Sequence, residues 1–92
     1  MFIEIVSPEK TIFTGDVNSV YLPGTDGFFQ ILNNHAPIVS TLKKGTIKLS
    51  GKFEDDVSEN LNLEGVNKAS LAIESGVVEM KNNKLIILVD YS

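Results

Sequence analysis

The chain has 92 residues, of which 42% are hydrophobic and 22% charged, a composition typical of one small globular domain with a limited core. It contains no cysteine, so disulfides, thiolate catalysis and cysteine-ligated metals are excluded. Twelve acidic residues stand against eight lysines and no arginine, and the lysines are scattered, so the chain lacks the basic stripe expected of a nucleic-acid-binding protein.

The first half of the chain predicts five short strands. They cover residues 2–6, 11–14, 19–22, 28–32 and 38–42, and the fourth is apolar on both faces. The short connection at residues 7–10 favours a hairpin between the first two strands. Gly15 and Asp16 are predicted to end the second strand.

Two connections in this half have distinct turn residues. Residues 23–27 predict a turn, because Pro23 presets φ while Gly24 and Gly27 allow positive φ. Residues 33–37 predict an irregular loop, because the residue before Pro37 is disfavoured in a helix.

The second half predicts four more strands, at residues 46–49, 71–74, 77–80 and 85–89. Gly76 separates the second of these from the third. Asn82 and Asn83 suit a two-residue hairpin turn, because asparagine tolerates the left-handed conformation. The last strand is apolar at every position, which predicts that it is buried on both faces or packed between sheets.

Residues 52–68 interrupt this pattern and predict a solvent-exposed, acidic excursion between two strands. Phe53, Val57 and Leu61 recur every fourth residue, which allows one short helix. Leu61 and Leu63 alternate, which allows a strand hairpin equally well. The excursion contains five of the twelve acids, namely Glu54, Asp55, Asp56, Glu59 and Glu64.

Short strands at this spacing, separated by glycine, proline and asparagine, predict an all-β fold. We expect a small β-sandwich or flattened barrel of roughly 8–10 strands, forming a single domain over residues 1–92. No segment has the sustained periodicity of a bundle helix.

The motifs that resemble catalytic or ligand sites do not fit their templates. In residues 45–52 five residues separate the glycines where a phosphate loop needs four, and Phe53 stands where Ser or Thr should be. The acidic stretch lacks the Gly and Glu positions of a calcium loop. His35 is the only histidine, and we expect it to hydrogen-bond its own backbone neighbourhood or a partner. No cofactor, metal, substrate or catalytic residue is therefore predicted.

The adjacent rings of Phe28 and Phe29 must point to opposite faces of a strand. A buried ring beneath the turn is one interpretation, and a protein-contact anchor is the other, because exposed aromatic residues are favoured at interfaces. The two are compatible, since one ring can do each. An alternative is a stand-alone carbohydrate- or peptide-binding module in which Phe28, Phe29 and Tyr21 form an aromatic platform.

Most of the chain resembles the N-terminal β-sandwich domain of the epsilon subunit of F-type ATP synthases, called delta in mitochondria. The likeness is carried by an ordered set of matches from residue 20 to residue 45: Leu22, Pro23, Gly24, Gly27, Ile31, Leu32, His35, Ala36, Pro37, Leu42 and Gly45. Residues 5–9 and 13–15 also resemble the family's opening strand and turn, and residues 75–80 and 85–90 resemble its closing hairpin.

The resemblance implies a non-catalytic rotor subunit of the central stalk. Such a subunit binds gamma along one side, rests on the c-ring, and couples proton or sodium flow to ATP synthesis. The implied location is the cytoplasmic face of a bacterial inner membrane, as a peripheral part of the complex. This agrees with the absence of an apolar run long enough to span a bilayer and of signal-peptide features in the sequence.

The resemblance also implies two sets of contact residues. The residues implied to face the c-ring are Asp26, Gly27, Phe28, Asn33, Asn34 and His35. Those implied to face gamma are Ser7, His35 and Ser40. Many members have an acidic residue at the position of Phe28 and Pro-Gly at the positions of Asn33 and Asn34.

Many relatives add a C-terminal pair of helices that inhibit ATP hydrolysis. No such segment follows the predicted last strand in these 92 residues. The expectation from the sequence is therefore a short form without helix-mediated inhibition.

Overall fold

A computed structural model describes residues 1–53, 61–65 and 67–91, and within these ranges the chain forms ten strands and no helix. The strands are β1 (Phe2–Val6), β2 (Thr11–Asp16), β3 (Ser19–Gly24), β4 (Gly27–Leu32), β5 (Ile38–Leu42), β6 (Gly45–Ser50), β7 (Asn62–Leu63), β8 (Lys68–Ile73), β9 (Ser75–Lys81) and β10 (Lys84–Asp90). Among the described residues, no helix meets the length and hydropathy needed to cross a membrane.

The strands form one curled sheet in the order β2-β1-β10-β9-β5-β3-β6-β8-β7, with β4 paired to β3. All neighbouring pairs are antiparallel except β1 and β10, which are parallel. β3 is the branch point, since it pairs with β4, with β6 and, at its last residue, with β5. We call β2-β1-β10-β9-β5 the first layer and β4-β3-β6-β8-β7 the second layer.

Alternating side chains from both layers meet in one core. Each fully buried aliphatic side chain there contributes about 1.5–3 kcal/mol to the free energy of unfolding. The largest fully buried side chains are Ile3, Ile5, Val20, Leu22, Ile31, Ile47, Leu49, Ile73, Val78, Met80, Leu85 and Ile87. The predicted all-β sandwich is confirmed.

The prediction that residues 85–89 are buried on both faces or packed between sheets is wrong. In β10 the side chains of Leu85, Ile87 and Val89 enter the core, whereas Leu88 is exposed and Ile86 half-buried. β10 lies between β1 and β9 in the first layer, whose outer side has no second layer of described residues over it. The continuous apolar run of β10 therefore places apolar side chains both in the core and on the surface of the first layer.

The predicted turn at residues 23–27 is also too long. Pro23, Gly24 and Gly27 belong to β3 and β4, so only Thr25 and Asp26 form the turn. Gly27 has φ +131°, which supports the predicted use of glycine there. Gly24 is required by space instead, because an added Cβ would lie 2.7 Å from the ring of Phe29.

Two other strand limits differ from the sequence prediction because glycine fits within a strand where a ring or a neighbouring strand comes close. β2 continues through Gly15 and Asp16, which pair with β1. β9 starts at Ser75 and includes Gly76, where an added Cβ would lie 2.6 Å from the carbonyl oxygen of Leu88. The predicted two-residue turn is confirmed: Asn82 and Asn83 have φ of 53° and 57°.

Part of the acidic excursion is described. Asn62 and Leu63 form a short strand against β8, and Leu61 and Phe53 are buried in the core. The ring of Phe53 packs against Phe13, with ring centroids 5.9 Å apart. The proposed short helix and the acids Glu54, Asp55, Asp56 and Glu59 lie outside the described residues.

Candidate protein-contact surfaces

The strand register separates the connections of the molecule into two opposite ends. We call the first the Thr25 end, formed by Ser7, the Thr25–Asp26 turn, Lys43, Lys44 and Glu74. The backbone N–H of Thr25 donates to the carbonyl oxygen of Thr41 at 3.2 Å. Lys44 and Glu74 form an exposed ion pair at 3.9 Å.

The opposite end, the Asn83 end, is held by asparagine hydrogen bonds. The backbone N–H of Asn34 donates to Oδ1 of Asn83 at 2.8 Å, and the N–H of Phe2 donates to the carbonyl oxygen of Asn83 at 3.2 Å. The N–H of His35 donates to the carbonyl oxygen of Leu32 at 3.3 Å. The loop after β4 is thus tied to the β9–β10 turn.

Asn83 has two functions in this arrangement, and two substitutions separate them. We expect Asn83→Ala to lower the free energy of unfolding by about 2 kcal/mol, because it loses the acceptor for Asn34 and strains the left-handed backbone. Asn83→Gly loses only the acceptor and should cost about 1 kcal/mol or less. Urea denaturation of both variants measures the difference; equal losses would show that the backbone conformation contributes nothing.

The structure does not bring the six residues of the predicted c-ring set together. Asp26, Gly27 and Phe28 lie at the Thr25 end, whereas Asn33, Asn34 and His35 lie at the Asn83 end. β4 joins the two groups, and its six residues span about 17 Å at the rise of a strand.

The residues predicted to face gamma are spread along the first layer from the Thr25 end to the Asn83 end. Ser7 lies at the Thr25 end, where its N–H donates to the carbonyl oxygen of Lys10 at 2.8 Å. Ser40 is half-buried in the middle of β5, and His35 lies just before β5 at the Asn83 end. Pro37, also exposed, immediately precedes β5.

His35 has the local role that the sequence suggested. Its side chain is exposed, and Nδ1 lies 2.7 Å from the carbonyl oxygen of Ala36. Among the described residues, no group of three or more His, Asp or Glu side chains is placed to hold a metal ion.

We call the outward side of four first-layer strands the outer face, where exposed aliphatic side chains lie among polar and charged ones. It consists of outward side chains of β1, β10, β9 and β5. Val39 is 70% exposed, Leu88 52% and Val77 39%, although all three are aliphatic. Val77 lies opposite Leu88 on one side and Thr41 on the other. A groove of about 350 Å³ follows this area towards Ser7.

A second apolar feature lies on the outward side of the second layer. The rings of Tyr21 and Phe28 stack with centroids 5.3 Å apart and an interplanar angle of 8°. Phe29 points the other way and packs against the core. The adjacent rings thus point to opposite faces, as predicted, and the three-ring platform required by the carbohydrate- or peptide-binding alternative is not formed.

Reasoning from sequence missed the outer face. The signal for it was present in residues 85–89, where an apolar residue stands at every position of a predicted strand. The same pattern arises from a strand between two layers, so the sequence did not distinguish a second buried face from an apolar surface.

Comparisons with known proteins match nearly the whole chain to one family. The family described as the ATP synthase, Delta/Epsilon chain, beta-sandwich domain matches residues 1–91. The ATP synthase epsilon chain of Leptospira interrogans is 37% identical over 89 residues, which cover 97% of this chain and 60% of that protein. The epsilon chain of Chlorobium limicola is 41% identical over 88 residues, which cover 96% of this chain and 86% of that protein.

Two solved structures have the same fold. One is a chain of the central stalk and c-ring structure of the Tetrahymena thermophila mitochondrial ATP synthase, with a TM-score of 0.71 and 16% identity, covering 98% of this chain and 63% of that one. The other belongs to the Euglena gracilis mitochondrial ATP synthase, with a TM-score of 0.73 and 16% identity, covering 95% and 48%. The chain thus spans 60% of the length of its Leptospira relative, and less of the Euglena chain.

Proposed function

The chain belongs to the family of the ATP synthase delta/epsilon chain β-sandwich domain, and from this membership we propose that it is a non-catalytic subunit of the central stalk of an F-type ATP synthase. In this role it binds gamma along one side, rests on the c-ring, and passes ion-driven rotation to the complex. Its proposed location is peripheral, at the cytoplasmic face of a bacterial inner membrane.

The structural observation that supports a contact with gamma is the exposed outer face. Large contiguous apolar patches on soluble domains mark sites of contact. Leu88 and Val77 lie opposite each other on β10 and β9 as exposed aliphatic side chains, and Val39 is exposed on the next strand, β5, diagonal to Val77. We assign this face to gamma, because Ser7 and His35, which the family resemblance puts towards gamma, lie at its two ends.

The c-ring contact is assigned to the Thr25 end. There the ring of Phe28 is 53% exposed and stacked on Tyr21, so an apolar surface is available to a partner. At the Asn83 end, the backbone N–H groups of Asn34 and His35 are already bonded within the chain. The proposal is therefore that Asp26, Gly27 and Phe28 contact the ring. The other three residues implied by the resemblance, Asn33, Asn34 and His35, do not contact it.

Two matched substitutions on β4 test which end meets the ring. Phe28 and Leu32 are 53% and 54% exposed on the same face of the strand, at its opposite ends. We expect Phe28→Ser to weaken association of the chain with the c-ring about tenfold, because an exposed aromatic anchor is lost. Leu32→Ser should leave it within about twofold.

The measurement is retention of c-ring with the tagged chain after washing, quantified against gamma. A larger loss of c-ring with Leu32→Ser than with Phe28→Ser would assign the ring contact to the Asn83 end. Equal retention of c-ring by both variants would show that the contact with the ring does not depend on the exposed apolar side chains of β4.

The function itself is tested by co-purification. The tagged chain is expressed in its own cells, the membranes are solubilised, and the captured partners are identified by mass spectrometry. We expect gamma and the c subunit in near-stoichiometric amounts. Recovery of neither, with capture of a carbohydrate or peptide instead, would favour a stand-alone binding module.

A further inference from the structure

The outer face is not uniformly apolar, because its side chains fall into four bands across the strands. The strand register places Asp90 opposite Ser75 in the band nearest the Thr25 end, and Leu88 opposite Val77 in an apolar band beside it. The next outward positions place Ile86 between Glu79 on β9 and Glu4 on β1. The band nearest the Asn83 end places Lys84 opposite Lys81.

The spacing of these bands follows from strand geometry. Outward positions on one strand are two residues apart, so neighbouring bands are separated by about 7 Å. Along β9 the order is Val77, Glu79 and Lys81, and along β10 it is Leu88, Ile86 and Lys84. The face thus changes from apolar to acidic to basic over about 14 Å.

The charges of these bands are not satisfied within the described part of the chain. Glu4, Glu79 and Lys81 have no ion-pair partner within 4.0 Å there. Lys84 lies with Nζ 5.9 Å from the ring centroid of Phe2, directed away from β9. Lysines directly opposite on neighbouring strands repel each other, so Lys81 and Lys84 do not stabilise the pairing of β9 with β10.

We propose that this banding selects the surface of gamma that the face binds: an apolar area over Leu88 and Val77, a basic side chain over Glu79, and an acidic side chain over Lys81 and Lys84. The inference rests on the proposed function, since it specifies the chemistry of the partner at the same face. It makes Glu79 the specificity-determining residue of the contact, because Val39 and Ile86 flank it on both sides.

The position of Glu79 explains why its charge matters. A carboxylate among aliphatic neighbours loses its water when a partner covers it, and this desolvation is offset only by a cation in the partner. A partner surface without a cation at that position is rejected, because the buried charge stays unpaired. By the same reasoning, Lys81 and Lys84, which lie opposite each other, favour a partner that has an acidic side chain at that position.

The test measures binding of the purified chain to purified gamma from the same complex, with Glu79→Lys and the nearly isosteric Glu79→Gln. We expect Glu79→Lys to weaken binding by about thirtyfold or more and Glu79→Gln by about tenfold. Glu79→Gln should also reduce the dependence of affinity on salt. The control is Glu64→Lys, an exposed acid beside the second layer, which should bind gamma within about twofold of the unmodified chain.

The outcomes separate this inference from the proposed function. If both Glu79 variants bind gamma as the unmodified chain does, the inference is overturned while the assignment of the chain to gamma stands. If the unmodified chain does not bind gamma, the proposed function itself fails. If the unmodified chain instead forms a dimer that Glu79→Lys dissolves, the acidic and basic bands pair between two copies and the proposal is wrong about the occupant.

Discussion

Leu88→Asp is expected to weaken binding of the chain to gamma about a hundredfold, because the change removes an apolar contact and places an unpaired carboxylate at a covered site. Leu88 lies in the apolar band of the outer face and is 52% exposed in the isolated chain. Its effect on the free energy of unfolding should stay below about 1 kcal/mol, since the side chain takes no part in the core. The binding constant is measured by titration calorimetry and the stability by urea denaturation.

Leu32→Asp is the matched control for this prediction. Leu32 has nearly the same exposure and also lies on a strand, but it belongs to the second layer. Any general cost of aspartate in a strand applies to both variants. Gamma binding lost equally in both would show that the outer face is not the specific contact.

Ile87→Ala is expected to have the largest effect on stability. Ile87 is the neighbour of Leu88 on β10, but its side chain is fully buried in the core. Truncation should lower the free energy of unfolding by about 2–5 kcal/mol, a large part of the total for a domain of this size. Leu88→Ala should lower it by less than about 1 kcal/mol.

The same pair of variants tests the alternation in β10. Both replace a large aliphatic residue by alanine at adjacent positions of one strand, so the difference in strand propensity is small. Urea denaturation curves give the two values directly. Similar losses for Ile87→Ala and Leu88→Ala would mean that both faces of β10 are buried, as its composition alone suggests.

Much of the fold could be predicted from the sequence because its strands are short and its turns have characteristic residues. Asn82 and Asn83 form the expected two-residue turn, since asparagine readily adopts the left-handed conformation. Strand ends were harder to predict around Gly15, Gly24 and Gly76. Glycine there serves close approach of a neighbouring strand or ring, and a sequence does not distinguish this use from that in a turn.

Less of the contact surface could be predicted. The adjacent rings of Phe28 and Phe29 separated as strand geometry requires, one outward and one inward. The outer face, in contrast, depends on which strands become neighbours. Glu79 and Ile86 are seven residues apart in sequence, and only the register of β9 and β10 sets them opposite each other.

The separation of the predicted c-ring residues has the same origin. Phe28 and Asn33 are close in sequence, which suggests one continuous contact. Because nearly all of β4 lies between them, they reach opposite ends of the molecule. The six residues that the family resemblance implies for one contact therefore lie in two different parts of the molecule.

Cross-linking in the assembled ATP synthase tests the assignment of the outer face most directly. The chain has no cysteine, so Leu88→Cys provides one unique site for a benzophenone label. Illumination followed by mass spectrometry identifies the neighbouring subunit. The proposed function predicts a cross-link from position 88 to gamma; a cross-link to the c subunit or to no subunit at all would contradict it.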